Sequence, residues 1–413
     1  MGFVRAAPGF GRGALGFGTI VLAVGLGAWE VAGQEAAADM VVSSDPELAR
    51  MAAALLPDLV ERAGLQLREP VRLEARSRGQ LVEYLQAKLD EELPVEEAND
   101  VVEAYALLGL LPPDLDLRAL LLSLYTEQVA GFYEPDSTAL FVLDDQPAGQ
   151  LQGLLVHELV HAIQDQTADL EALTGPDVGN DRATAAQAAI EGHATLVMLE
   201  YMTEQISGSP VDLSQIPDFA AQVRPALEAI RGQFPELASA PRVIQESLLF
   251  PYVEGAAFVQ ALWREGERVA PFGPHLPLST EQVLSRRGAD APVELTLAVT
   301  GGRVIHDDVL GSLELGVLLE EHLGPGRGDL AEGWGGDRYA LVEGAAGGRG
   351  LVWYVLWDDV PARDRFADGI EGALGALGAQ ATLERVEAGA HPAVLLRIGE
   401  LGGVGSEARI SGG

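Results

Sequence analysis

The spacing of apolar and polar positions divides the chain into a long helix-rich stretch and a later region of strands and turns. From Asp45 to Gly64 the residues Leu48, Met51, Leu55, Leu56 and Leu59 recur at helical spacing, with Ser43, Ser44 and Asp45 as caps. Residues 69–75 alternate and predict a strand, and residues 77–89 return to a helix. Pro112-Pro113 breaks the chain ahead of a helix over 116–130. Glu134-Pro135-Asp136 predicts a turn and Thr138 to Leu143 a strand, which leads through Pro147 and Gly149 into a helix over 150–166. Such a strand is either an ordinary sheet member or an edge that accepts an extended peptide by β-addition. Glu127 and Tyr133 flank it and read as structural. A loop over 174–180 precedes a long helix, capped by Asp181 and running to about Met202. Helices over 217–233 and 242–250 follow, Pro251 begins another, and Ser279 or Thr280 caps a short one.

Beyond about Ala291 the texture changes to a compact unit of its own. A helix from Asp307 to Leu323 is followed by strands at 339–343 and 351–357, a helix over 361–377, and strands at 381–387 and 393–399. A glycine-rich tail from Gly402 is expected to fray. The pattern predicts an α+β fold in three parts: an N-terminal segment over 1–33, a mainly helical body with a small sheet over 34–290, and a smaller α+β unit over 291–413. Within the body, 34–120 reads as framework and 121–290 as the chemically active part.

Composition narrows the possible roles. The 413 residues are 48% apolar and 22% charged, enough for a real core and too apolar for general disorder. A formal charge of −35 repels phosphate backbones, which excludes nucleic acid as a natural partner. With no cysteine there is no disulfide, no thiol nucleophile and no thiolate metal site. Arg5 and Arg12 precede an apolar run from Ala14 to Trp29, and Val31-Ala32-Gly33 supplies small residues at a cleavage position. This reads as a cleaved export signal, with membrane association expected only if the segment is retained as an anchor. As a helix the run would span about 24 Å, short of a hydrocarbon core of roughly 30 Å.

The helix over 150–166 carries His157-Glu158-Leu159-Val160-His161. Two imidazoles four residues apart share a helix face with Cβ atoms about 5–6 Å apart, the reach needed to grip one zinc ion. At about 100° per residue, Leu155, Val156, Leu159, Val160 and Ile163 fill one arc, and His157, Glu158, His161, Gln164 and Asp165 fill the opposite one. The histidines are therefore not core residues of the apolar face. The next helix supplies the third ligand: Glu191 shares a stripe with Thr184, Gln187, Ala188, Ala194, Thr195 and Met198, small or polar residues that allow a close backbone approach. His193, the rival, lies about 200° away and cannot reach the same ion from a regular helix. A third histidine downstream is excluded, since Gln164 and Thr167 stand where Gly and His would be required.

With HELVHAIQDQ and AAIEGHATLVM placed, residues 120–287 resemble the gluzincins, zinc metallopeptidases with H-E-x-x-H on one helix and a Glu ligand on the next. More narrowly, EQVAGFYEP, FPYVEGAAFV and PLSTEQVL are similar to segments of exported, minigluzincin-like bacterial proteins. The resemblance implies a zincin-like catalytic fold, one zinc ion on His157, His161 and Glu191, and Glu158 as general base in hydrolysis of a peptide or protein substrate. It also implies a Tyr or His that holds the oxyanion, for which Tyr252 is the candidate. Two features depart from the wider family. No G-x-M-E-N sequence supports an aminopeptidase, and Thr195 stands four residues after Glu191 where thermolysin-like enzymes carry Asp. Asp165 or Gln187 is the candidate for orienting a ligand imidazole. The competing function is a metal-stabilised binding or scaffolding protein without turnover.

Overall fold

The computed structural model describes residues 17–20, 38–175, 178–217, 219–232, 234–265, 268–286, 291–378 and 380–410. The fold is α+β, as the apolar spacing predicts. The export signal expected over 1–33 lies outside the described residues except for 17–20. No described helix is long and apolar enough to cross a membrane.

The first half is built on a five-stranded sheet of β1 (Phe17–Ile20), β2 (Val41–Ser43), β3 (Val71–Arg76), β4 (Val129–Glu134) and β5 (Ala139–Leu143), in the order β1-β4-β5-β3-β2. Around it lie α1 (Pro46–Ala63), α2 (Arg78–Glu92), α3 (Val95–Leu107), α4 (Leu117–Gln128), α5 (Ala148–Asp165), α6 (Leu170–Thr174) and α7 (Asn180–Ser207). Both faces of the sheet are covered, so β5 is apolar throughout. Its Leu140 and Val142 pack with α1, α5 and α7, and Ala139, Phe141 and Leu143 pack with α2 and α4. Pairing with β3 on one side and β4 on the other makes β5 an internal strand, which removes it as an edge for a peptide. The helix expected over 116–130 ends at Gln128, because Gly131 runs so close to β5 that a Cβ would lie 2.8 Å from the Phe141 carbonyl oxygen.

Next come α8 (Phe219–Arg231), α9 (Pro235–Ser239), α10 (Arg242–Phe250), a π-helical turn (Pro251–Gly255), α11 (Ala256–Arg264) and α12 (Thr280–Ser285). Pro251 does not begin a helix. The helical path continues through it, and the wider turn absorbs the missing N–H and the bulk of the ring.

The last part contains β6 (Leu295–Thr300), β7 (Gly302–Asp308), α13 (Gly311–Leu323), β8 (Trp334–Gly344), β9 (Arg349–Trp357), α14 (Val360–Glu371), β10 (Thr382–Ala388), β11 (His391–Gly399) and β12 (Gly405–Ile410). The second sheet runs β10-β11-β9-β8-β7, all antiparallel. Two expectations change. The helix predicted from Asp307 starts at Gly311, since Asp308 still pairs with Tyr339 and Gly311 sits at φ +79. The tail does not fray at Gly402, because β12 pairs with β6 from Gly405↔Thr300 to Ile410↔Leu295. One face of the second sheet, with Trp353, Val355 and Leu396, shares a continuous core with Leu85, Val101, Tyr105 and Leu121 of α2, α3 and α4.

Candidate metal centre

The α5 and α7 helices pack against each other and bring the three predicted ligands together. The His157 Nε2 is 2.9 Å from Glu191 Oε2 and 2.9 Å from His161 Nε2, and His161 Nε2 is 3.4 Å from Glu191 Oε2. These three side chains could hold a metal ion. His157 and His161 are fully buried and Glu191 is 1% exposed. On the polar arc of α5, His157, His161 and Gln164 therefore meet α7, which is buried on every side from Ala183 to Met198, while Glu158 and Asp165 meet Tyr133 of β4.

Burial alone would raise the Glu191 carboxyl, but the His161 and His157 imidazoles outweigh it and hold it at about 2. Burial lowers His157 below the usual imidazole value, with Glu191 opposing. Both shifts leave an anionic Glu191 carboxylate beside a neutral His157 imidazole, the protonation state a cation needs of that pair.

The supporting residues differ from those expected. Gln187 donates to the other carboxylate oxygen, Glu191 Oε1, at 2.9 Å, so it orients the Glu and no imidazole. Asp165 accepts from the Tyr133 hydroxyl at 2.9 Å and from Leu170 N at 3.1 Å, bracing β4 and the start of α6. The residue that meets a ligand imidazole is Gln164, whose Oε1 is 2.8 Å from His161 Nδ1. Its place on the polar arc three residues after His161 was the available signal. Its amide nitrogen donates to Ile190 O and pairs with His193 Nδ1, each at 3.0 Å. His193 lies against the edges of Trp263 and Phe272 and is not in the ligand group. Thr195 is buried, and among the described residues neither its hydroxyl nor His157 Nδ1 makes a hydrogen bond.

Glu158 is fully buried, and the backbone of Tyr133 in β4 hydrogen-bonds its carboxyl. Burial first, and then the charge of Glu191, push that carboxyl well above the usual range. Tyr252 sits on the π-helical turn with its ring centroid 6.4 Å from that of His157. Two glycines make this possible. A Cβ on Gly192 would lie 2.1 Å from the Gly255 carbonyl carbon, and one on Gly255 would lie 2.1 Å from Ala188 O. Backbone therefore touches backbone between α7 and the turn.

At its N-terminal end α7 meets a different cluster. Asp181 is not a cap: Gly179 precedes the helix, and the buried Asp181 carboxylate accepts from Thr280 N at 3.0 Å. Glu314 accepts from the Tyr105 hydroxyl at 2.5 Å and from Asn180 Nδ2 at 3.1 Å. Asp308 accepts from Asn180 N at 3.0 Å, and Asp337 accepts from Leu310 N, Gly311 N and the indoles of Trp334 and Trp353. Burial, abetted by the neighbouring carboxylates, raises Asp181 to about 7 and Glu314 to about 8, and burial also raises Asp308 and Asp337.

Residues 298–397, from β6 to β11, match a domain of unknown function, DUF8575, which includes no residue of the metal centre. No curated protein and no solved structure matches the chain.

Proposed function

We propose that the protein is an exported zinc-dependent peptidase of gluzincin type. The observation that carries this reading is the triangle of His157 Nε2, His161 Nε2 and Glu191 Oε2, with sides of 2.9, 2.9 and 3.4 Å. Tetrahedral zinc, with bonds of about 2.0–2.1 Å, sets its ligand atoms roughly 3.3 Å apart. Two imidazoles and one carboxylate are also a donor set suited to zinc, with a fourth position left for chemistry. When bound there, zinc would supply a Lewis acid that polarises the scissile carbonyl and activates water near neutral pH.

The side chains take the remaining roles. Glu158 accepts the proton of the attacking water on its carboxylate and passes it to the leaving amine nitrogen as the C–N bond breaks and the new C–O bond forms. A dication held by His157, His161 and Glu191 would oppose the burial that pushes the Glu158 carboxyl up, favouring the carboxylate that a base must be. Tyr252, beside His157, donates its hydroxyl to the carbonyl oxygen as charge develops there. The substrate is a peptide or protein, and export is supported by Arg5 and Arg12 ahead of the apolar run.

One observation favours a second reading, a binding or scaffolding protein in which the metal is structural. His157, Glu158 and His161 are 0% exposed and Glu191 is 1% exposed, the enclosure typical of closed structural sites. The deciding experiment is metal content together with peptide-library cleavage by wild type and Glu158→Gln. The peptidase reading expects one zinc in both proteins and cleavage by wild type alone. Absence of zinc from the wild type sinks it, and zinc without any cleavage supports the structural reading.

A further inference from the structure

The buried amide of Gln164 has more determinate bonding than any other side chain around the centre. It is 0% exposed, and all its polar partners are protein atoms: His161 Nδ1 at 2.8 Å, Ile190 O at 3.0 Å and His193 Nδ1 at 3.0 Å. The Ile190 carbonyl can only accept, so the side of the amide that faces it must be the NH2 group. That fixes Oε1 toward His161. An amide oxygen can only accept, so His161 must donate from Nδ1 and keep its lone pair on Nε2, the nitrogen in the ligand group. The second amide proton is aimed at His193 Nδ1, which must therefore accept and carry its own proton on Nε2. The Ala63 backbone, at the end of α1, hydrogen-bonds the His193 ring and opposes the lowering of that imidazole by burial.

We infer that Gln164 is the positioning residue for the metal centre: through Ile190 O it fixes the proton of His161 on Nδ1 and presents the Nε2 lone pair, with His193 as its second acceptor. One backbone carbonyl of α7 thus sets the hydrogen placement along a chain running from α1 to the ligand helix. This also gives His193 a role. It lies two residues from Glu191 yet turns its acceptor nitrogen to the amide, so it serves the ligand shell from behind. The hydrogen-bond directions hold in the metal-free protein, and only the effect on metal affinity rests on the zinc reading.

The test uses the full chain labelled with 15N-histidine, whose ring nitrogen shifts report which nitrogen carries the proton, and zinc affinity by chelator competition. In metal-free wild type the proton is expected on Nδ1 of His161 and on Nε2 of His193; a proton on His161 Nε2 overturns the inference. Gln164→Glu keeps the acceptor for His161 but takes the donor from both Ile190 O and His193. It should leave the His161 proton in place, hold zinc affinity within about threefold, and move the His193 proton to Nδ1; an unmoved His193 proton overturns the inference. Gln164→Ala should weaken zinc binding by about 10–100-fold and let both His161 tautomers appear. A folded Gln164→Ala protein with wild-type affinity and a single His161 tautomer refutes the positioning role. Should that variant not fold, the wild-type and Gln164→Glu spectra still decide. A wild type that binds no zinc removes the proposed function and leaves the tautomer result standing by itself.

Discussion

The start and the middle of α7 hold buried carboxylates in opposite states. Glu191 is held at about 2, while Asp181, ten residues earlier on the same helix, is raised to about 7. Both are at least 97% buried, with exposures of 1% and 3%, so desolvation drives both upward. The difference lies in the neighbours. Glu191 faces two imidazoles and the Gln187 amide, whereas Asp181 faces Asp308, Asp337 and Glu314 with Thr280 as its donor. The middle of the helix is thus ready for a cation, and its start retains protons in place of one. The larger lesson is that burial of acids does not mark a metal site. The base-forming partners beside the acid do.

The comparison can be broken most forcefully at Glu158, the acid next to the metal group. Glu158→Gln should retain zinc and lower peptide hydrolysis by about 10²–10⁴-fold, read from kcat/KM and metal content. Loss of zinc in this variant would move Glu158 from the chemistry to the ligand shell. A comparable effect is expected at Tyr252, where Tyr252→Phe should raise the barrier by about 3–4 kcal/mol with little change in zinc affinity. Unchanged kcat would remove the tyrosine from the mechanism.

One residue beyond Glu191, Gly192→Ala probes what holds α7 in place. The new Cβ would lie 2.1 Å from the Gly255 carbonyl carbon, and backbone cannot yield as a side-chain tip can. Destabilisation of about 1–3 kcal/mol or more is expected by denaturant unfolding, with a displaced Tyr252 as its local sign. Wild-type stability would mean that α7 and the π-helical turn separate freely.

The smallest effect belongs to the acid end. Glu314 titrates near 8 in the folded state against about 4.3 unfolded, so the native state binds the extra proton between those values. Its contribution is fully present below about pH 4 and is lost as pH rises through 8. Glu314→Gln keeps the neutral form at every pH. The variant should match wild type below about pH 4 and exceed it by about 1 kcal/mol or more above pH 8. Parallel pH profiles of thermal unfolding for the two proteins would place the Glu314 carboxyl outside the raised range.

The metal group was legible because its information is local. His157 and His161 share a helix face by spacing alone, and Glu191 stands on the one stripe of α7 narrow enough for close approach. The caps at Asp45 and Ser279 were readable for the same reason, each accepting from a backbone N–H two or three residues ahead. Long-range pairing was not readable. The β4 strand is buried on both faces and shows no alternation, and β12 follows a glycine run while its partner β6 lies far back in the chain. Asp181 looked like a helix cap because that pattern is local, but its donor, Thr280, comes from another helix. Gln164 had the right position on the right arc, yet its role depends on Ile190 and His193, which no helical projection of α5 contains.

The contact between Gly192 and Gly255 has a consequence for how such a sequence can drift. A Cβ on Gly192 would meet the Gly255 carbonyl and one on Gly255 would meet the Ala188 carbonyl, so neither site can gain a side chain while α7 and the turn stay where they are. The two positions, 63 apart in the chain, are thus both needed for the same docking of the turn on α7. Descendants of this sequence that keep Tyr252 against His157 are expected to retain both glycines together, and lineages that lose one should show a rebuilt turn at 251–255.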